Sequence, residues 1–98
     1  MTITSTMNGK DLTIAVEGRL DTMTAPELEA EFNKSLGGAD TLTLDFSNLS
    51  YISSAGLRVL LSAHKSMMSK GGMKVTHVNE IVAEVFEVTG FADILTIE

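Results

Sequence analysis

Apolar and polar positions change their period several times along the 98 residues. Thr2 to Met7 and Leu12 to Val16 are short runs rich in Thr, Ile and Val, separated by Asn8-Gly9-Lys10-Asp11. Asn-Gly between such runs is a strong hairpin signal, because both residues tolerate positive φ. The chain is therefore expected to open with an antiparallel pair. Thr24-Ala25-Pro26-Glu27 then reads as a Thr-x-x-Glu capping box with proline in the first turn, where its missing N–H costs nothing. Ala25, Leu28, Phe32 and Leu36 follow at intervals of three and four, and Gly37-Gly38 supplies a stop. A first helix is predicted from about Ala25 to Leu36.

Thr41 to Phe46 alternates and runs on into Leu49, Tyr51 and Ile52, which predicts one strand with a buried face and a short exit turn. Ser53 and Ser54 stand at its junction with a second helix, where the first turn leaves backbone N–H groups without intrahelical partners. Leu57, Leu60, Leu61, His64, Met67 and Met68 share one side of that helix, which is expected to end at Gly71-Gly72. Met73 to Val78 reads as a strand by its Val and Thr content. Asn79 can cap a third helix that carries Ile81, Val82, Val85 and Phe86 inward and stops at Gly90, and Ile94 to Ile97 closes the chain as a strand.

The resulting order, β-β-α-β-α-β-α-β, predicts a small, mixed, mostly parallel α/β sheet of about five strands with right-handed crossovers. If successive strands are neighbours in space, the helices lie mainly on one face and the hairpin strand forms the antiparallel edge. A chain of 98 residues suits one domain, 1–98, around one core.

Composition narrows the function more than the fold. With 13 acidic and 7 basic side chains the formal net charge is -6, and no Lys/Arg cluster with interleaved aromatics occurs. Such a surface repels phosphate backbones and anionic lipid headgroups, which argues against nucleic acid and membranes as partners. Cysteine is absent, which removes disulfides, thiolate nucleophiles and Cys-ligated zinc. His64 and His77 belong to no metal-binding spacing. Met1 to Asp11 has no basic segment leading into an apolar run, and no stretch approaches the about 20 apolar residues of a membrane span. A cytoplasmic protein without metal or cofactor is expected.

Catalytic signatures are equally thin. Ile52 stands two residues before Ser54, where a Gly-x-Ser-x-Gly elbow requires glycine, and neither a glycine-rich phosphate loop nor a dinucleotide fingerprint follows any strand. No acid–base set accompanies the serines, so an enzyme is not expected. Asp21 follows one strand and precedes a helix, while Ser53-Ser54 follows another parallel strand. Both are therefore expected at the carboxyl edge of the sheet, where open α/β folds place their sites. Plainer roles stand beside these: a serine before a helix serves as an N-cap, and an aspartate after a strand as a turn residue. Gly56 removes a side chain from the helix's first turn, leaving room for a partner's approach. Leu57 is either an anchor on that partner or part of the core.

Gly18-Arg19-Leu20-Asp21 with Thr24-Ala25-Pro26, Asp45-Phe46-Ser47-Asn48-Leu49 with Tyr51-Ile52-Ser53-Ser54-Ala55-Gly56-Leu57, and Phe86-x-x-Thr89-Gly90-Phe91 together resemble the STAS family. More narrowly, the chain looks like one of its stand-alone bacterial anti-sigma factor antagonists. The resemblance implies a partner switch controlling transcription indirectly. The unmodified antagonist binds an anti-sigma factor that is also a serine kinase, phosphorylation breaks the complex, and a serine phosphatase restores it. On this resemblance the phosphoacceptor falls on Ser54, with Ser53 the second choice, since the residue before the acceptor is often Asp in the family. The acidic residue of the neighbouring loop falls on Asp21. The implied partner-binding edge comprises Asp21, Thr22, Met23, Thr24, Ser53, Ser54, Gly56 and Leu57. Within the same fold the alternative is a subunit held constitutively by another assembly, such as a lipid-transport ATPase or a stress-signalling complex.

Overall fold

In the computed structural model, which describes residues 1–98, the opening hairpin pairs β1 (Thr2–Asn8) with β2 (Asp11–Leu20), from Thr2 opposite Glu17 to Asn8 opposite Asp11. The turn is Gly9-Lys10 rather than Asn8-Gly9. Asn8 stays in the strand, and the turn's one positive φ, 66°, belongs to Gly9. Positive φ confined to the first central residue is the type II′ arrangement, whose twist suits the flanking strands.

The first helix, α1 (Ala25–Ser35), buries Ala25, Leu28 and Phe32 and passes into a 3-10 turn, Leu36–Gly38, that buries Leu36. It starts where the Thr-x-x-Glu pattern predicts, but by another device. Thr24 makes no side-chain cap. Its hydroxyl donates to the Arg19 carbonyl at 2.7 Å and accepts the Asp21 N–H at 2.8 Å, closing the loop that leads into the helix.

The line from Thr41 to Ile52, expected as one strand, is broken in two. β3 (Thr41–Asp45) runs parallel to the first half of β2 and β4 (Leu49–Ile52) to the second half. The β3 partner lies 30 residues beyond its mate in β2, and this offset grows to 31 at Gly18 and 32 at Arg19. The residues between the two strands form a turn in which the Leu49 N–H bonds the Phe46 carbonyl at 3.0 Å, with the Phe46 ring in the core. The sheet accordingly has six strands, ordered β1-β2-β3-β5-β6 with β4 beside β2, where β5 is Met73–Thr76 and β6 is Thr96–Ile97. Every pair except β1 and β2 is parallel.

Burial alternates along the strands. Leu12, Ile14 and Val16, Leu42 and Leu44, and Met73 and Val75 are buried, whereas Thr13, Ala15, Thr41, Thr43 and Lys74 between them remain partly or fully exposed. The helices cover the first set, and the 24 buried hydrophobic residues join in one cluster. In α2 (Ser54–Met67) the buried face is Gly56, Leu57, Val59, Leu60, Ala63 and Met67, a stripe rotated from the one expected. Met68 is exposed and His64 only partly buried. In α3 (Glu80–Thr89) Asn79 caps as predicted, its carboxamide oxygen accepting the Val82 N–H at 2.8 Å, while its NH₂ donates to the Leu49 carbonyl at 2.7 Å and ties α3 to β4. Val82 and Phe86 point inward and Val85 partly so, but Ile81 is exposed. The closing strand shrinks to two residues because Phe91–Asp93 forms a 3-10 turn that sends Leu95 into the core. The Lys70 ammonium donates to the carbonyls of Leu36 and Ala39 at 2.7 and 2.9 Å, where a cation suits the end of a helix. No helix is long and apolar enough to cross a membrane.

Candidate functional site

Parallel pairing of β2 with β4 sets Ile52 beside Leu20, so the two strands release Asp21 and Ser53 side by side. The Ser53 N–H donates to the Leu20 carbonyl at 2.9 Å and holds that alignment one residue further. Ser53 is the N-cap of α2. It has an extended backbone, its hydroxyl accepts the Gly56 N–H at 3.3 Å, and its carbonyl accepts the Leu57 N–H at 2.9 Å. Ser54 is then the first helical residue, and its side chain is exposed. The N–H groups of Ser54 and Ala55 are among the donors that no helix satisfies internally. The two serines thus divide the work: Ser53 holds the helix, and the Ser54 hydroxyl is uncommitted.

Across from them the Asp21 carboxylate organises its own loop. One oxygen accepts the N–H groups of Met23 and Thr24 at 3.0 and 3.2 Å, an aspartate turn into α1. The other lies 3.8 Å from the Arg19 guanidinium, which stacks 4.4 Å from the centre of the Tyr51 ring. Loss of solvent contact pushes the Asp21 carboxyl up. The N–H groups of Thr24 and Met23, the Thr24 hydroxyl and Arg19 together outweigh it and hold the group below the usual aspartate range. A depressed carboxylate binds fewer protons folded than unfolded, so its contribution to stability is complete above the ordinary value and fades as pH falls through the folded one. An NMR titration of the Asp21 carboxyl is expected to show a midpoint below the usual aspartate range, and Asp21→Asn is expected to flatten the acid limb of the stability profile. A midpoint at or above the ordinary value would contradict this account of the loop.

The remaining residues of the expected edge separate into inside and outside. Gly56 faces inward, and a Cβ there would lie 2.7 Å from Leu20 Cγ and 2.9 Å from Ile52 Cγ1. Its missing side chain brings α2 close to the sheet and gives an external partner no access. Leu57 is 4% exposed, so it is core and not an anchor. The exposed apolar group of this edge is Met23, 83% exposed at the tip of the Asp21 loop. Thr22 meets α2 through a cavity of about 300 Å³ between the two helix starts, lined also by Ala25, Pro26, Glu29, Ala55 and Arg58. No hydrogen bond joins Asp21 to either serine; the backbone alone brings them together.

Three residues carry parts that the sequence did not show. Arg19 and Tyr51 meet only because Arg19 pairs with Tyr51 in the β2/β4 register. Arg58 could have been found, since it lies four residues after Ser54 on the same side of α2. In a second turn, after β3, the N–H and hydroxyl of Ser47 hold Asp45 below the usual range against the upward push of burial, with His77 3.4 Å away adding to the effect. No three histidine or carboxylate side chains converge as a metal site.

The family model described as "Mlab, STAS domain" matches residues 3–96. A Bordetella bronchiseptica protein named as the anti-sigma factor antagonist BtrV is 35% identical over 88 residues, covering 88% of this chain and 76% of that protein. The anti-sigma-B factor antagonist of Bacillus subtilis is 28% identical over 91 residues, covering 92% and 84%. Among solved structures, the anti-sigma factor antagonist SpoIIAA in its unphosphorylated form superposes with a TM-score of 0.84 at 18% identity, over 99% of this chain and 88% of its own. Its phosphorylated form gives 0.76 at the same identity, over 99% and 91%. At this identity the likeness is one of fold.

Proposed function

Because the chain belongs to the STAS-domain family, we propose that it is an anti-sigma factor antagonist switched by phosphorylation of Ser54. Unmodified, it binds an anti-sigma factor that is also a serine kinase; phosphorylated, it lets go, and a serine phosphatase resets it. Sigma factor activity, and so transcription, is governed indirectly. The names of its relatives support the first part of this reading. The observation that carries the second is the exposed, uncommitted hydroxyl at the first position of α2, beside the Asp21–Thr24 loop.

The fold can take a phosphate at Ser54 more easily than the interface can. A phosphate adds about −1.5 to −2 charge, and at a helix N-terminus it meets free N–H donors and the positive end of the macrodipole. Docking would bury that charge near the Asp21 carboxylate, adding desolvation and like-charge repulsion to a surface that had offered a small neutral hydroxyl. At Ser53 the same phosphate would displace the oxygen that caps α2. Ser54 is therefore the better acceptor, with Thr22, Met23 and Thr24 completing the surface the partner reads.

Mass spectrometry after incubation with the anti-sigma factor and ATP tests the switch. Label is expected on Ser54. Ser54→Ala is expected to keep the complex and take no label. Ser54→Asp is expected to fold normally and bind roughly 100-fold more weakly, because docking would set its charge against the like charge of the Asp21 carboxylate. Label on Ser53 alone would move the acceptor by one residue. A complex that forms while neither serine is labelled would favour a subunit held constitutively by a larger assembly.

A further inference from the structure

We infer that two copies of this chain pair through the outer edge of β1, joining their sheets across a two-fold axis at Ser5. β1 closes one side of the sheet, and half of its backbone N–H and C=O groups point away from β2 with no strand to receive them. Soluble proteins blunt such edges with charge, proline, bulges or brevity. β1 has none of these. Thr2–Asn8 is seven residues long, carries no charge and no proline, and pairs with β2 without a register shift. The opposite edge is protected: β6 has two residues, and the Lys74–Glu98 ion pair, 3.7 Å apart, lies across β5 and the chain end that follows β6.

The sequence of β1 is matched to itself. An antiparallel, two-fold pairing that overlaps all seven residues must place Ser5 on the axis, which sets Thr4 opposite Thr6 of the second copy, Ile3 opposite Met7, and Thr2 opposite Asn8. Ile3, Ser5 and Met7 pair with Val16, Ile14 and Leu12 of β2 and so lie on the helix-covered face. There Met7, 44% exposed in the single chain, would pack on Ile3 of the other copy and extend the apolar layer across the axis. On the open face, threonine would meet threonine, a favourable cross-strand pair. β1 itself carries no charge, but the Glu31 carboxylate of α1 reaches the Ser5 side chain. A two-fold axis at Ser5 therefore brings two carboxylates near each other and adds to the repulsion between chains of charge -6. Seven paired residues give a contact of about 24 Å and an interface on the order of 1,000 Å², the low end for specific association. The dimer should therefore depend on concentration and strengthen with salt, which screens the net repulsion. Neither Ser54 nor the Asp21 loop belongs to β1, so each copy keeps its site.

Sedimentation equilibrium between about 1 μM and about 1 mM, the range in which a small interface is populated, tests the inference. The mass of the wild-type chain is expected to rise from 10.5 kDa towards twice that value. The double substitution Thr4→Lys/Thr6→Lys sets lysine against lysine twice across the axis, at positions exposed in the single chain, and is expected to stay at the single-chain mass with an ordinary melting transition. Hydrogen exchange on the wild type gives an independent reading: alternate β1 amides should gain at least about tenfold protection at high concentration. A wild-type mass of 10.5 kDa throughout, a dimer that survives the double substitution, or a dimer dissolved instead by Ile81→Lys/Val88→Lys on α3 would each overturn the assignment.

Discussion

Replacing Leu57 by alanine is expected to lower folding stability by about 2–5 kcal/mol, the cost of truncating a buried leucine and leaving its space incompletely refilled. Leu57 is 4% exposed, and its neighbours on the buried face of α2, Val59 and Leu60, belong to the same cluster as Leu20 and Ile52 beneath them. The contrast is Met23→Ala. That side chain is 83% exposed, so its loss should change stability by no more than about 0.5 kcal/mol while weakening the partner complex. Urea denaturation of both variants beside a binding titration separates the roles. A Leu57→Ala variant with an unchanged midpoint and lost binding would return the anchor to Leu57.

Gly56→Ala is the second large effect, and its direction is opposite to what helix propensity alone suggests. Alanine in place of a helical glycine ordinarily stabilises by about 1 kcal/mol. Here the new Cβ would stand 2.7 Å from Leu20 Cγ and 2.9 Å from Ile52 Cγ1, closer than such atoms come. α2 must lift or the two side chains must leave their rotamers, and overpacking of this kind costs about 1–3 kcal/mol. Leu20 and Ile52 immediately precede Asp21 and Ser53, so a lifted helix also shifts Ser54 relative to the Asp21 loop, and partner binding should fall together with stability. Leu20→Ala in the same chain relieves the clash, so the double variant should lose less than the two single losses combined. A Gly56→Ala variant more stable than the wild type would show that this junction has slack.

Local chemistry makes several elements legible in the residue order alone. The spacing of Ala25, Leu28, Phe32 and Leu36, the Asn79 cap and the glycines after each helix act within a turn or two of chain, and the corresponding elements form where they are expected. The order of strands and helices likewise implies a mostly parallel sheet and puts Asp21 and the serine pair at one edge. Departures occur where a distant residue decides. Thr24 heads a capping pattern but spends its hydroxyl on Arg19 and Asp21, because the end of β2 curls back over it. The stretch from Thr41 to Ile52 alternates like one strand, yet the growing offset against β2 breaks it at Phe46.

The site divides in the same way. Capping and crossover rules act through neighbouring backbone, so residue order is enough to start a helix at Ser53-Ser54 and to place Asp21 after a strand of the same sheet. Which serine is free, and which apolar side chain lies outside, depends on packing between elements far apart in the chain. Ser53 becomes the cap because its N–H is drawn to Leu20, leaving Ser54 one residue further along and exposed. Gly56 lets α2 settle against Leu20 and Ile52, which turns Leu57 inward and leaves Met23 as the exposed apolar group of that edge. Helical periodicity describes a stripe, but its rotation about the axis follows from how closely another element can approach, and that distance is a property of both surfaces.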